Sequence, residues 1–180
     1  MNMRPSGFTL IELMIALSIF AILVFLALPM YAQFMGNSQI RNAAENSLTG
    51  VRLAQATAIK GNSLARFMID ANGWAVYAWN DEIADFAVVP VQSYQFAEGA
   101  SQTTHTLTPA AGTKVTFDGL GRVVPDASSL TQIEVTNPSV TNPRKLRVMI
   151  SGIGGNTGIK LCDPDPGVDT SDPRACPPPP

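Results

Sequence analysis

Between Leu13 and Ile40 the chain carries no Asp, Glu, Lys, Arg or His, and from Leu13 to Met30 it is almost wholly apolar. A hydrocarbon core takes about 20 apolar residues to cross, whereas the apolar part of a cleaved secretory signal runs to about 7 to 15. The run predicts a membrane-spanning helix. It does not end as an ordinary signal peptide does. Ala27-Leu28-Pro29 is a poor A-x-A-like site, and Met30, Tyr31, Phe34 and Met35 carry the apolar chain past it. The segment is expected to be retained.

The helical pattern outlasts the membrane. Ile40, Ala44, Leu48, Val51, Ala54 and Ala58 recur at steps of three or four, the stripe of an amphipathic helix, and Gly61-Asn62 ends it. A helix continuous from Phe8 would be about 80 Å long at 1.5 Å per residue. One half then lies in lipid and the other packs on something soluble. Pro29 is expected to kink it, because an interior proline loses a backbone hydrogen bond and clashes with the preceding turn. Gly36 and Gly50 are read as further soft points.

After Asn62 the pattern turns to short strands separated by turn residues. Ser63 to Asp70 and Trp74 to Trp79 flank Ala71-Asn72-Gly73, a hairpin signal in which Asn and Gly accept positive φ. Phe86 to Gln92, Lys114 to Phe117, Gly121 to Val124, Gln132 to Thr136, Lys145 to Ile150 and Gly158 to Leu161 read as further strands. The fold class is therefore α+β, a long N-terminal helix packed on a β-rich head of two small antiparallel sheets. From Asp163 the chain holds seven of its fourteen prolines and four aspartates, which leaves too little apolar matter for a core.

Glu12 stands at the membrane end of this helix, where an ionised side chain is costly unless it is partnered or near the interface. The plain reading is a carboxylate favoured by the helix dipole. Gly7 followed by Phe8-Thr9-Leu10-Ile11-Glu12-Leu13, however, resembles the class III signal of type IV prepilins and type II secretion pseudopilins. The resemblance implies that a prepilin peptidase cuts between Gly7 and Phe8 and methylates the new amino group of Phe8. It also implies that Glu12 meets the terminal ammonium of a neighbouring subunit during filament assembly. Two charges that are each costly in hydrocarbon become tolerable together. Arg4 in the leader favours a cytoplasmic N-terminus, with the inner membrane crossed once and the head in the periplasm.

Export places Cys162 and Cys176 in an oxidising compartment, so a disulfide closing a short loop is expected. The divisions that follow are a leader at 1–7, a membrane and filament-core helix at 8–36, its amphipathic half at 37–61, a β-rich head at 62–162 and a Pro- and Asp-rich, disulfide-closed tail at 163–180.

A narrower resemblance runs through the body. Gly50-Val-Arg-Leu-Ala-Gln-Ala-Thr-Ala-Ile-Lys60, Gly73-Trp74 and Val115-Thr-Phe-Asp-Gly-Leu-Gly-Arg122 are similar in order and spacing to the GspH/FimT family of pseudopilins and minor pilins. Members of this family are noncatalytic filament subunits, so the implied partners are other minor pilins and a major pilin, or pseudopilins. The tail from Cys162 to Cys176 looks more like the pilus branch than the secretion branch. DNA-binding members carry a GRxR motif before a C-terminal cysteine. Here Gly155-Asn-Thr-Gly-Ile-Lys-Leu-Cys162 lacks both arginines and keeps only Lys160.

A net charge of −2 gives no global attraction to nucleic acid. Arg144-Lys145-Leu146-Arg147 is the one remaining basic cluster. Lys145 and Arg147 share a strand face, and with Lys160 they are the residues a DNA contact would use. A solvated strand edge is the preferred reading. The sequence shows no enzyme chemistry, metal site or cofactor motif. His105 lacks an obvious acid or nucleophile and reads as an exposed strand or loop residue. Cys162 is better placed in a disulfide than as a nucleophile. Asp81, Glu82 and Asp85 lack a calcium-loop spacing. Trp74, Tyr77 and Trp79 suggest a stacking surface, but parity puts Trp74 opposite the other two, and core packing of at least one is simpler.

Overall fold

The computed structural model describes residues 8–152, 158–169 and 171–177. One helix, α1, runs unbroken from Leu10 to Gly61 over 52 residues, about 78 Å at the standard rise. Thr9 caps its start, its Oγ1 accepting the Glu12 backbone N–H at 3.3 Å. Asn62 closes it in the left-handed conformation at φ 45°, donating its N–H to the carbonyls of Ala58 and Ile59. Pro29 lies inside the helix, which continues through it.

Nine strands follow: β1 (Ala65–Ile69), β2 (Gly73–Asn80), β3 (Asp85–Phe86), β4 (Gln92–Gln95), β5 (Thr104–Thr108), β6 (Lys114–Phe117), β7 (Gln132–Thr136), β8 (Leu146–Ser151) and β9 (Gly158–Cys162). The first sheet has the order β3-β2-β1-β6, with β4 paired to the other end of β2; the second has the order β5-β7-β8-β9. All of these pairings are antiparallel. The β1–β2 hairpin forms, with Ile69 opposite Trp74, but neither Asn72 nor Gly73 takes the positive φ expected of it. Asp70 Oδ1 accepts the backbone N–H groups of Asn72 and Gly73.

Both sheets pack on the second half of α1, which touches β1, β2 and β6 of one and β7, β8 and β9 of the other. Ile40, Ala43, Ala44, Val51, Ala54 and Ala58 join Phe67, Val76, Val115, Phe117, Ile133, Val135 and Val148 in one core. Gly36 and Gly50 are contact points in this core rather than soft points. A Cβ on Gly50 would lie 2.7 Å from Phe67 Cε2 and 2.8 Å from Trp74 Cδ2, and one on Gly36 would run into Val140. Small residues let the sheets approach the helix backbone, which outweighs the helix propensity they forfeit.

Three strand assignments change. Phe86 to Gln92 is not one strand; it is β3, an exposed loop and the start of β4. Pro90 supplies no donor to a ladder, and Val88 and Val89 point to solvent. Gly121 to Val124 contributes one bridge, Val123 to Phe117, because the Asp118 carboxylate ties the turn by accepting the N–H groups of Leu120 and Arg122. Thr104 to Thr108 is a full edge strand whose threonines face water and whose His105 and Leu107 turn inward.

Candidate functional site

The first half of α1 is left uncovered by the head. Every residue from Leu10 to Met35 is exposed, and Gly36 is the first buried one. This stretch is long and apolar enough to cross a membrane, and the head buries none of its residues. Phe8 stands exposed just ahead of it, with Glu12 exposed one turn into the helix. Gly7 and the leader lie outside the described residues. Thr9 and Glu12 also form half of a capping box, the Thr-x-x-Glu spacing in which the first residue takes the N–H of the fourth. That signal was present in the sequence and is a local reason for the pair. It leaves the Glu12 carboxylate exposed.

At the other end, Cys162 and Cys176 are bonded. Cys162 closes β9 and is buried, while the tail doubles back beside it. Asp163 donates its N–H to Arg174 O, Cys176 donates to Asp163 O, and Lys160 Nζ reaches Ala175 O at 3.0 Å. The expected loop is therefore an extension of the second sheet's edge.

The basic cluster is brought together and then neutralised. Glu134 on β7 stands opposite Arg147 on β8, and its two carboxylate oxygens take Arg147 Nη2 and Lys145 Nζ. Partial burial pushes the Glu134 carboxyl up, but hydrogen bonding and charge from Arg147 and Lys145 outweigh it and leave the group below its ordinary value. Lys145 and Arg147 share a face as expected, and Lys160 is occupied by the tail. A cross-strand acid 11 residues upstream of Lys145 is invisible to a reading of the local cluster.

His105 is a correction. It is not exposed: it stacks on Phe96 with ring centroids 3.8 Å apart and lies across from Val135, its Nε2 buried without a partner among the described residues. Burial lowers its pKa to about 4. Trp74 is the buried aromatic, against Phe67 and Tyr94, while Tyr77 and Trp79 are half-buried on the opposite face. Asn80 and Asp85 hold the turn containing Asp81 and Glu82 by accepting the N–H groups of Glu82 and Phe86.

An uncovered N-terminal helix on a two-sheet head, with Phe8 and Glu12 at its free end, is the geometry against which the comparisons stand. Residues 2–28 match the prokaryotic N-terminal methylation motif. Residues 43–154, more than half of the chain, match the family described as type II transport protein GspH. The chain belongs to the GspH family. Two crystal structures of the type IV minor pilin FimU from Pseudomonas aeruginosa strain PAO1 resemble it. The first is 16% identical with a TM-score of 0.51, over 71% of this chain and 92% of that one. The second is 14% identical with a TM-score of 0.47, over 67% and 91%. The first shows the shared fold, a long helix on two antiparallel sheets. No curated protein matches. With the methylation motif, membership of the GspH family makes this chain a minor pilin or pseudopilin, a structural subunit anchored by its apolar helix. The motif implies processing by a prepilin peptidase and assembly with other pilins.

Proposed function

We propose that this GspH-family protein is a minor pilin, a noncatalytic subunit that helps initiate or cap a type IV pilus. On this reading residues 1–7 are removed after Gly7 and Phe8 becomes the methylated N-terminus. The 8–36 helix first anchors the chain in the inner membrane and then enters the filament core, and Glu12 pairs with a neighbour's terminal ammonium. The amphipathic 37–61 half carries the 62–162 head in the periplasm, and the disulfide closes the 163–180 tail. The pilus reading over type II secretion rests on that tail, tied back onto β9 through Cys162–Cys176. DNA is not the proposed ligand, because the cations that would contact phosphate, Lys145 and Arg147, are already held by Glu134.

The test is deletion of the gene in its own bacterium followed by two assays. Loss of surface pili in sheared-fibre preparations with exported enzymes unaffected is the expected result. Normal piliation with enzymes trapped in the periplasm would replace this reading with the pseudopilin one.

A further inference from the structure

Where α1 emerges from its uncovered stretch, a groove of about 630 Å³ runs between the helix and the closed end of the second sheet. We propose that it seats an anionic phospholipid headgroup from the leaflet on the head's side of the bilayer. The proposal rests on the membrane-anchored reading and adds to it a lipid class and a site. Phe34 on the helix and Leu146 and Leu161 on β8 and β9 supply apolar wall. Arg41, Arg144 and Arg174 also line the groove, and the side chain of each is 73% exposed.

Depth puts the groove at the right level. If Leu13 to Phe34 fills a hydrocarbon core of about 30 Å, Phe34 lies at its edge and Arg41 about 10 Å beyond, just outside a headgroup layer roughly 5 to 8 Å deep that its side chain can reach back into. Helical side chains lean toward the helix N-terminus, so the Phe34 and Arg41 side chains start out toward the bilayer. The apolar membrane surface of the helix is continuous with the groove through Phe34.

Charge selects the occupant. Two carboxylates, Glu45 and Asp163, share the groove with the three guanidinium groups. Arg41 holds Glu45 through Nε at 2.7 Å, which leaves its two terminal nitrogens for another acceptor. Arg144 has its closest carboxylate, Asp163, at 4.0 Å. Arg174 is committed to Asp172 through Nε and Nη2. Arg41 and Arg144 are thus the phosphate ligands, since a guanidinium fork matches phosphate oxygens. A second copy's apolar helix would fill the same walls and leave both forks without an acceptor.

The full chain is reconstituted in phosphatidylcholine vesicles containing a minority of phosphatidylglycerol, and spin-labelled versions of the two lipids report association with the protein. We expect phosphatidylglycerol to be immobilised at least about fivefold in preference to phosphatidylcholine, given what one arginine at a membrane surface contributes. Arg41→Gln/Arg144→Gln should remove the preference. Arg52→Gln, an exposed arginine 11 residues further along the helix, should keep it. Equal association of the two lipids, or a preference indifferent to the double substitution, overturns the proposal. So does crosslinking between copies in pure phosphatidylcholine that the double substitution abolishes, which assigns the groove to a second chain. Extraction of the wild-type chain from vesicles by alkaline carbonate would instead reject the membrane anchoring itself.

Discussion

The two halves of α1 share one backbone and meet two solvents. From Leu10 to Met35 the side chains are mostly large and apolar, and all are uncovered; from Gly36 to Gly61 the buried positions are Gly36, Ile40, Ala43, Ala44, Ser47, Gly50, Val51, Ala54 and Ala58, most of them small. The difference shows what covers each half. A lipid or helix partner can adapt to bulky side chains, but two sheets already held by their own ladders must come close to the helix backbone. Small residues on one stripe permit that approach, and Phe67 and Trp74 fill the space over Gly50.

The comparison is broken most sharply by one residue type in both halves. Phe67 is fully buried and Phe25 is 77% exposed. Phe67→Ala should cost the head about 3 to 5 kcal/mol, the range for truncating a core aromatic. Phe25→Ala should leave the head's melting temperature unchanged, and a shift comparable to that of Phe67→Ala would mean that the membrane half packs on the head. Thermal unfolding followed by tryptophan fluorescence reads both.

The tail comes next. Cys176→Ser opens a loop with a sequence separation of 14. The chain-entropy model assigns about 3 kcal/mol to closing a loop of about 15 residues. Limited proteolysis should cut the variant in its Pro- and Asp-rich tail while β1 to β8 resist. Equal protease resistance in variant and wild type would show that the hydrogen bonds of Asp163, Arg174 and Lys160 suffice to hold the tail.

A smaller effect comes from acid. His105 is neutral in the folded head, with a pKa lowered to about 4, and titrates near 6.5 once unfolded. Between those values the unfolded chain binds more protons, so the stability is present in full above about pH 6.5 and is lost as the pH falls toward 4, by about 3 kcal/mol at most. His105→Phe, which keeps a ring against Phe96, should flatten this part of the urea-midpoint profile between pH 7 and 4.5. Identical slopes for the two proteins would exclude a buried neutral His105.

What could be read in advance was whatever lies along the chain. The uncharged run, the Asn62 stop, the Asn72-Gly73 hairpin and the cysteine loop are each local patterns, and their number and type led to a helix on two sheets. What escaped depends on residues distant in sequence. Gly50 reads as a weak helix position until Phe67 and Trp74 are placed over it, and Lys145 and Arg147 read as an open basic face until Glu134 is paired across from them. His105 in Thr-His-Thr-Leu-Thr looks polar because its strand is an edge, and its stacking partner Phe96 belongs to the short 3₁₀ turn after β4. The Thr9 cap escaped as well, although its Thr-x-x-Glu spacing is a helix-start signal in its own right.

Glu12 carries the assembly role assigned to the uncovered half: its backbone N–H is bonded to Thr9, and its carboxylate has no partner among the described residues. Glu12→Val, expressed in place of the wild type, is the most direct measurement. The N-terminal mass of the membrane fraction and immunoblots of sheared filaments are read together. The account predicts a chain that inserts and is cut to begin at methylated Phe8, yet is missing from the filaments. Incorporation at the wild-type level would contradict it and leave Glu12 as a helix-capping residue at the membrane interface.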